Sequence, residues 1–294
     1  MGNMREIRNR IKSVQDTMKI TNAMYLISSA KLRKARSSRD DTAPYFNSLK
    51  YTISDILERY PAFQEQGLFE SEAERNVKDR EKNRLFIVIS SDKGLAGSYN
   101  HNVFSTVEAN LNPGYKNRIL LVGHMGINYF KKNEDVVVEE EHIYPATTPT
   151  VFRAREIAEY VIDQYLNHDI DEVHMVYTKM VNSMTFEPEI MRVLPLARSL
   201  FCERENKHLQ EPVFSPSPEE VLKHIVPNYV KGIIFGALSE SFACEQSARM
   251  TAMDNATTNA KEMIRELSLA YNRVRQAAIT QEITEVVSGS QSTR

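Results

Sequence analysis

The feature that most constrains the fold is a long stretch near the end of the chain, residues 237–288, that contains neither glycine nor proline. At about 1.5 Å per residue, one helix over this stretch would be roughly 75–80 Å long. A compact domain of this chain's size is much smaller across. The sequence therefore predicts that this helix packs along a second long helix or inside other subunits.

The beginning of the chain supplies a first partner, because residues 3–43 also lack glycine and proline. Apolar and small residues recur there at alternating spacings of four and three, the repeat of a coiled-coil seam. The seam consists of Ile7, Ile11, Val14, Met18, Thr21, Tyr25, Ser28, Leu32 and Ala35. A second apolar face, formed by Ile20, Ala23, Met24, Ile27 and Ala30, favours enclosure by more than one helix. A core helix of an ordinary bundle is the alternative.

A second seam is predicted in the C-terminal stretch, and half of its members are alanine: Met253, Ala256, Ala260, Met263, Leu267, Ala270, Val274 and Ala277. Small residues let two helices approach closely, so we expect an antiparallel coiled coil of the two chain ends. Beyond this seam, Ile279, Ile283, Val286 and Val287 form an apolar tip that would need an external partner. Pro44 is predicted to end or kink the first helix, and Pro227 to kink or restart the last one, which begins at Ser217-Pro218.

Between the two helical ends, short apolar runs alternate with helical patterns, which indicates βαβ units and a mainly parallel sheet covered on both faces. Strands are predicted at 84–91, 118–123, 135–139, 172–179 and 187–195, and helices at 100–111, 126–133 and 149–167. The expected fold class is α/β plus long helices, with an antiparallel coiled coil of the terminal helices and a central Rossmann-like α/β domain. The expected segments are a helix at 1–60, a charged linker at 61–83, the central domain at 84–202, a return linker at 203–216 and the last helix at 217–294.

The most site-like stretch is SSDKGLAGSYN, residues 90–100, between the first predicted strand and the first predicted helix of the central domain. Loops at the carboxyl ends of strands are where α/β folds usually bind phosphate. The glycines match neither G-x-G-x-x-G nor G-x-x-x-x-G-K-[ST], and Lys93 precedes them. A tight turn that needs Gly94 and Gly97 is the preferred interpretation, with nucleotide binding as the alternative.

Charge and composition limit the function further. The formal net charge is −2, but residues 1–40 carry ten Lys and Arg against three acids, a net of +7, which indicates an acidic partner. Cys202 and Cys244 lie far apart, the seven histidines are scattered, and no nucleophile lies in a recognisable catalytic motif. No apolar run is long enough to span a membrane. We therefore expect no catalytic residue, no metal ion and no cofactor.

Several stretches together resemble the γ subunit of bacterial F-type ATP synthases. They are REIRNRIKSV at 5–14, KITNAM at 19–24, AKLRKA at 30–35, SARMTAMDNA at 247–256 and YNRVRQAAITQEITEVVSG at 271–289. The central loop resembles the family's signature at Ser91, Asp92, Lys93, Gly94, Gly97 and Asn100. The resemblance runs from one end of the chain to the other.

This resemblance implies a non-catalytic rotor shaft that couples ion-driven rotation of a membrane c-ring to ATP synthesis or hydrolysis on the β subunits of an α3β3 ring. It implies that the central domain contacts the ε subunit and the c-ring, and that the chain is peripheral on the cytoplasmic face of the bacterial plasma membrane. No cofactor and no nucleic acid are implied. The implied contacts with the α and β subunits are Met24, Lys31, Arg33, Lys34, Arg249, Gln276, Thr280, Glu282, Ile283 and Val287.

Two other classes of protein remain as alternatives. A nucleotide-dependent α/β enzyme with a coiled-coil dimerisation arm would need the loop at 90–100 to bind phosphate. A nucleic-acid-binding basic helix would need interleaved aromatic side chains or a known reading motif, and the N-terminal basic residues have neither.

Overall fold

The computed structural model describes residues 2–60, 62–63, 67–69, 82–182, 185–201 and 213–292. Two long helices, α1 (Gly2–Arg59) and α5 (Pro218–Ser292), flank the central elements. These are β1 (Lys82–Ile89), α2 (Tyr99–Ala109), β2 (Tyr115–Val122), α3 (Met125–Phe130), β3 (Val136–Val138), α4 (Val151–Leu166), β4 (Glu172–Met180), β5 (Phe186–Leu194) and a 3-10 turn at Arg198–Phe201.

Neither proline of the long helices ends its helix. Pro44 lies inside α1 and Pro227 inside α5, so no helix end occurs at Pro44 and no restart at Pro227. The alternative in each prediction, a kink, stays a prediction. A proline removes one backbone hydrogen bond, but the following turns of both helices are buried in the same core, which keeps them helical. The predicted start of α5 is confirmed, because the Glu220 N–H donates to Ser217 Oγ at 3.2 Å.

The chain divides into two compact units, one formed by Met1–Ala30 with Arg249–Arg294 and the other by Lys31–Ala248. The division falls inside both long helices, unlike the predicted segments, which kept each helix whole. The reason is that the later turns of α1 and the early turns of α5 supply core residues of the sheet domain, among them Ile53, Ile56, Val230 and Ile234.

The larger unit is built on a five-stranded sheet of order β3-β2-β1-β4-β5. Only the pairing of β4 with β5 is antiparallel in this sheet, so the predicted mainly parallel sheet is confirmed. Leu85 and Ile87 of β1 pack towards α4 and the long helices, whereas Phe86 and Val88 pack towards α2 and α3. Both faces are covered, because side chains alternate between the faces of a strand.

Some residues of the predicted linker at 61–83 pack against the sheet domain. Leu68 and Phe69 are buried, and the Leu196 N–H donates to the Leu68 carbonyl at 2.8 Å. Lys82 and Asn83 are part of β1. Leu68 and Phe69 thus pack into the core, and the bounds of the linker at 61–83 stay a prediction. Residues 61, 64–66, 70–81 and 202–212, which include Cys202 and most of the return linker, lie outside the described residues.

In the smaller unit the two chain ends pack together, and the predicted N-terminal seam is confirmed. Thr21 and Ser28 are 8% and 2% exposed, whereas Ile20 and Ile27 outside the seam are 62% and 56% exposed. The Thr21 and Thr257 hydroxyl oxygens lie 2.8 Å apart. This hydroxyl pair joins α1 to α5.

The C-terminal seam differs from its prediction in which residues lie at its centre. Met263 is 42% exposed and Ala277 is also exposed, whereas Ile264 and Tyr271 are half-buried. The centre follows residues that again alternate four and three apart: Met253, Thr257, Ala260, Ile264, Leu267, Tyr271 and Val274. Thr257 belongs to this centre and faces Thr21 across the seam.

Candidate partner-binding surfaces and the central loop

Exposed basic side chains of α1 form the first candidate surface, which we call the basic triplet: Lys31, Arg33 and Lys34. The intervening Leu32 and the following Ala35 are 7% and 4% exposed. The helical period therefore buries the seam and leaves three cations in water. The triplet lies on one short exposed stretch of α1, and its contact with a partner stays a prediction.

Large apolar side chains are also exposed on the smaller unit. On α1 they are Ile20, Leu26 and Ile27, each more than half exposed. Contiguous exposed apolar surface is typical of an interaction site. Met24, the sequence-predicted contact on this helix, is half-buried.

The end of α5 forms a second candidate surface, the exposed tip, defined as residues 275–287. Every residue in it is exposed. Gln276, Thr280, Glu282, Ile283 and Val287 all belong to it, so five predicted contacts lie on one helical segment. Ile283 and Val287 are 59% and 50% exposed, which leaves apolar area uncovered within the described chain.

Arg249 differs from the other predicted contacts. Only 7% of its surface is exposed, although it heads the part of α5 that belongs to the smaller unit. The structure does not bring it onto the exposed tip, and its contact with a partner stays a prediction.

The central loop is fixed by hydrogen bonds among its own residues. The Ser91 N–H donates to Asn100 Oδ1 at 2.9 Å, and Asn100 Nδ2 donates to Ser91 Oγ at 2.8 Å. The Ser91 hydroxyl donates to the Lys93 carbonyl at 2.7 Å. Gly97 has φ of 59°, as the predicted turn requires, but the other left-handed residue is Leu95 with φ of 65°, and not Gly94.

Further contacts tie this loop to the end of β2. Asp92 Oδ1 accepts from the Ala146 N–H at 3.0 Å and lies 2.8 Å from His124 Nδ1. A Cβ on Gly123, which has φ of 96°, would lie 2.4 Å from the Ser90 carbonyl oxygen. The close approach of these two strand ends explains why glycine occupies position 123.

The geometry of the loop disfavours the nucleotide-binding alternative. The cavity beside it measures about 130 Å³, whereas pockets for small-molecule ligands usually measure about 300–1,000 Å³. The Asp92 carboxylate would also repel a phosphate. In the described part of the chain, no group of three or more His, Cys, Asp and Glu residues is placed to hold a metal ion. No helix there has the length and apolar character needed to cross a bilayer.

Residues that the sequence reasoning missed connect the loop to α5. The Tyr99 hydroxyl lies 2.7 Å from Ser241 Oγ, and both side chains are buried. Burial, and then the nearby Glu245 charge, raise the pKa of Tyr99, so its hydroxyl stays protonated. The signal in the sequence was a run of polar residues, 239–241 and 245–247, in an otherwise apolar part of α5.

Comparison with known proteins shows similarity over the whole chain. A family model described as ATP synthase matches residues 3–292. An ATP synthase gamma chain of Ruminiclostridium cellulolyticum is 46% identical, over 98% of this chain and 98% of the relative. One from Acetivibrio thermocellus is 40% identical over 99% of both chains. A sodium ion specific ATP synthase gamma chain of Acetobacterium woodii is 39% identical over 99% of this chain and 98% of the relative.

Solved structures share the fold at low sequence identity. A chain of the Euglena gracilis mitochondrial ATP synthase, in its OSCP/F1/c-ring structure, aligns with a TM-score of 0.69 and 17% identity, over 99% of this chain and 95% of that chain. A chain from the central stalk and c-ring structure of the Tetrahymena thermophila mitochondrial ATP synthase aligns with a TM-score of 0.58 and 22% identity, over 81% and 99%.

Proposed function

Because the chain belongs to the family of ATP synthase gamma chains, we propose that its exposed helical surfaces carry the coupling between rotation and catalysis. A gamma chain is a central stalk subunit of the complex and is not catalytic itself. In this role it couples ion-driven rotation of the c-ring to ATP synthesis or hydrolysis on the β subunits. The observation that carries the proposal is the exposed tip, where each side chain from 275 to 287 is exposed to solvent.

The partner of the exposed tip is the inside of the α3β3 ring. Ile279, Ile283 and Val286 would lose their contact with water there, which stabilises the assembly by roughly 25 cal/mol per Å² of apolar area. Gln276 and Glu282 supply polar contacts at the same level. This surface differs around the helix, so each of the three catalytic sites meets a different face as the helix turns. Rotation thereby shifts the conformational equilibrium of each site.

The basic triplet meets acidic groups of the β subunits. Three exposed cations on one helix stretch raise the local positive potential, which attracts an acidic loop and fixes its orientation. Met24 and Arg249 complete the proposed ring contacts. The sheet domain meets the ε subunit and the c-ring, and the chain reaches the cytoplasmic face of the membrane only through this complex.

The test of the basic triplet is charge reversal. In complexes assembled with α and β subunits, the variant Lys31→Glu, Arg33→Glu, Lys34→Glu should lower the ATP hydrolysis rate about tenfold, because each exposed charge pair contributes about 0.2–1 kcal/mol. The matched control exchanges Lys and Arg at the same positions and keeps the charge. Its rate should stay close to wild type. Equal rates for the reversed and control variants would show that the triplet does not contact the ring.

ATP hydrolysis by the isolated chain would instead support the alternative of a nucleotide-dependent enzyme. The same assay on the chain without α and β subunits measures this directly. We expect no hydrolysis above the background without protein.

A further inference from the structure

The end of strand β4 pairs with β5 along one edge as far as Met180, and side chains of α5 bind its other edge. β4 pairs with β1 from Glu172 to Val176, and this ladder ends at the pair Val88–Val176. N–H groups of alternate residues in an extended strand point to the same edge. Thr178 and Met180 therefore share an edge of β4 beyond the last residue that pairs with β1.

Two consecutive residues of α5 accept hydrogen bonds from this edge. The Thr178 N–H donates to Ser241 Oγ at 3.2 Å, and the Met180 N–H donates to Glu240 Oε1 at 3.2 Å. Thr178 is 4% exposed and Ser241 is fully buried. Because a buried N–H without an acceptor is unfavourable, α5 is held where these two side chains reach the strand.

The central loop adds a third contact at the same point. Tyr99, which lies near the end of the loop and is the first residue of α2, places its hydroxyl 2.7 Å from Ser241 Oγ. Ala96 and Tyr99 also pack against the buried Cys244 of α5. Ser241 thus connects a strand end and a loop to one position on the helix.

The two hydrogen bonds lie at different positions along the strand and at different angles around the helix. The N–H groups of Thr178 and Met180 are about 6.6 Å apart along the strand, and Glu240 and Ser241 point about 100° apart around the helix axis. One contact would allow a helix to pivot. Two contacts at different positions and different angles resist both sliding along the axis and rotation about it.

We propose that Tyr99, Thr178, Met180, Glu240 and Ser241 form a strand-end clamp that fixes the rotational position of α5 on the sheet. The clamp makes α5 turn with the sheet domain, and α5 continues as one helix to Ser292. The inference rests on the proposed function, in which the chain transmits rotation. Glu240 and Ser241 are positioning residues.

Hydrogen exchange of the full chain tests the contacts themselves. Ser241→Ala should speed exchange of the Thr178 amide about tenfold, and Glu240→Ala should do so at Met180, because each loses its acceptor. Ser239→Ala is the matched control, since Ser239 is 2% exposed on the same helix turn and its hydroxyl makes no hydrogen bond within the described chain. It should leave both rates unchanged. If the Thr178 and Met180 amides exchange as slowly in Ser241→Ala and Glu240→Ala as in Ser239→Ala, the clamp is overturned.

Coupling in the complete ATP synthase, reconstituted into phospholipid vesicles, tests the role. The number of ions taken up per ATP hydrolysed should fall roughly twofold or more in the Glu240→Ala, Ser241→Ala double variant, as expected for losing two such hydrogen bonds. Glu240→Gln keeps an acceptor oxygen and should retain the wild-type ratio, as should Ser239→Ala. If the double variant takes up as many ions per ATP hydrolysed as Ser239→Ala does, the clamp is overturned.

Two further outcomes keep the two proposals separable. If the double variant does not fold, Glu240→Ala alone gives the same comparison, because Glu240 is only half-buried. A wild-type complex that hydrolyses ATP without ion uptake would contradict the proposed function. A wild-type complex and a double variant that pump equally would contradict the clamp alone.

Discussion

At the residue scale, Glu172 ties the amino ends of β1 and β4 together. Its Oε2 accepts from Arg84 Nη2 at 2.9 Å and lies 3.1 Å from His174 Nε2. The hydrogen bond from His174, together with the Arg84 charge, lowers the pKa of Glu172 to about 2, although burial by itself would raise this pKa. The three side chains are 15–19% exposed, so water screens their interaction only in part.

The low pKa of Glu172 predicts a dependence of stability on pH. The carboxylate contributes fully above its ordinary pKa of 4.5, and this contribution is lost as the pH falls towards its folded value of about 2. Near pH 7, Glu172→Gln should lower the free energy of unfolding by about 1–3 kcal/mol, and the difference from wild type should shrink near pH 3. Urea titrations at both pH values measure it.

The control for this prediction is Glu159→Gln. Glu159 pairs with Arg155 on the surface of α4, where both side chains are more than half exposed. Water and salt screen such a pair, so this change should barely alter the unfolding curves. If Glu172→Gln behaves in the same way at both pH values, the carboxylate does not stabilise the sheet.

At the scale of elements, α1 and α5 approach closely where Gly232 faces Phe46. A Cβ at position 232 would lie 2.2 Å from Phe46 Cδ1, whereas a Cβ at Gly236, one turn later, would meet nothing within 4 Å. Both glycines lie in the interior of the same helix, so they differ mainly in the space around them.

This pair predicts opposite effects of the same substitution. Gly232→Ala should lower stability by about 1–3 kcal/mol, since overpacking against the Phe46 ring outweighs the gain in helix propensity. Gly236→Ala should raise stability by up to about 1 kcal/mol, since alanine is the better helix former. Thermal unfolding followed by circular dichroism compares them. If the melting temperature of Gly232→Ala equals or exceeds that of Gly236→Ala, the close approach of Gly232 to Phe46 is refuted.

At the scale of the whole molecule, the exposed tip contributes little to folding. All of its described side chains are exposed, whereas Met253 and Ala260, nearer the start of the seam, are buried. The buried part of α5 that supports folding and the tip that we propose to bind a partner are thus different parts of one helix.

Deletion of residues 275–294 should therefore leave the melting temperature within about 2 °C of the full chain. The same deletion should reduce the coupled activity of the assembled complex several-fold, because the tip is its proposed contact with the ring. Calorimetry of the chain and ATPase assays of the complex measure the two effects. Deletion from Met253 onwards is the control and should lower the melting temperature clearly. Equal losses in both deletions would show that the tip is part of the folded core.

The sequence by itself determined the features that depend on local periodicity. The N-terminal seam, the strands and the cap at Ser217 follow from spacings of a few residues, because helices and strands repeat with fixed periods. The apolar residues of the tip followed from the same periodicity, whereas the basic triplet was implied by the resemblance to the family. The resemblance to the family then supplied the partners, which no spacing reveals.

Only the tertiary structure decided the features that depend on contacts between residues distant in the sequence. The early turns of α5 stay helical past Pro227 within the core of the sheet. At the centre of the C-terminal seam, Thr257 meets Thr21 although 236 residues separate them. The contact of Ser241 with Thr178 spans 63 residues and joins a helix to a strand end. Such contacts form where the folded chain brings distant groups within hydrogen-bond distance. The local spacing of residues in the sequence therefore cannot predict them.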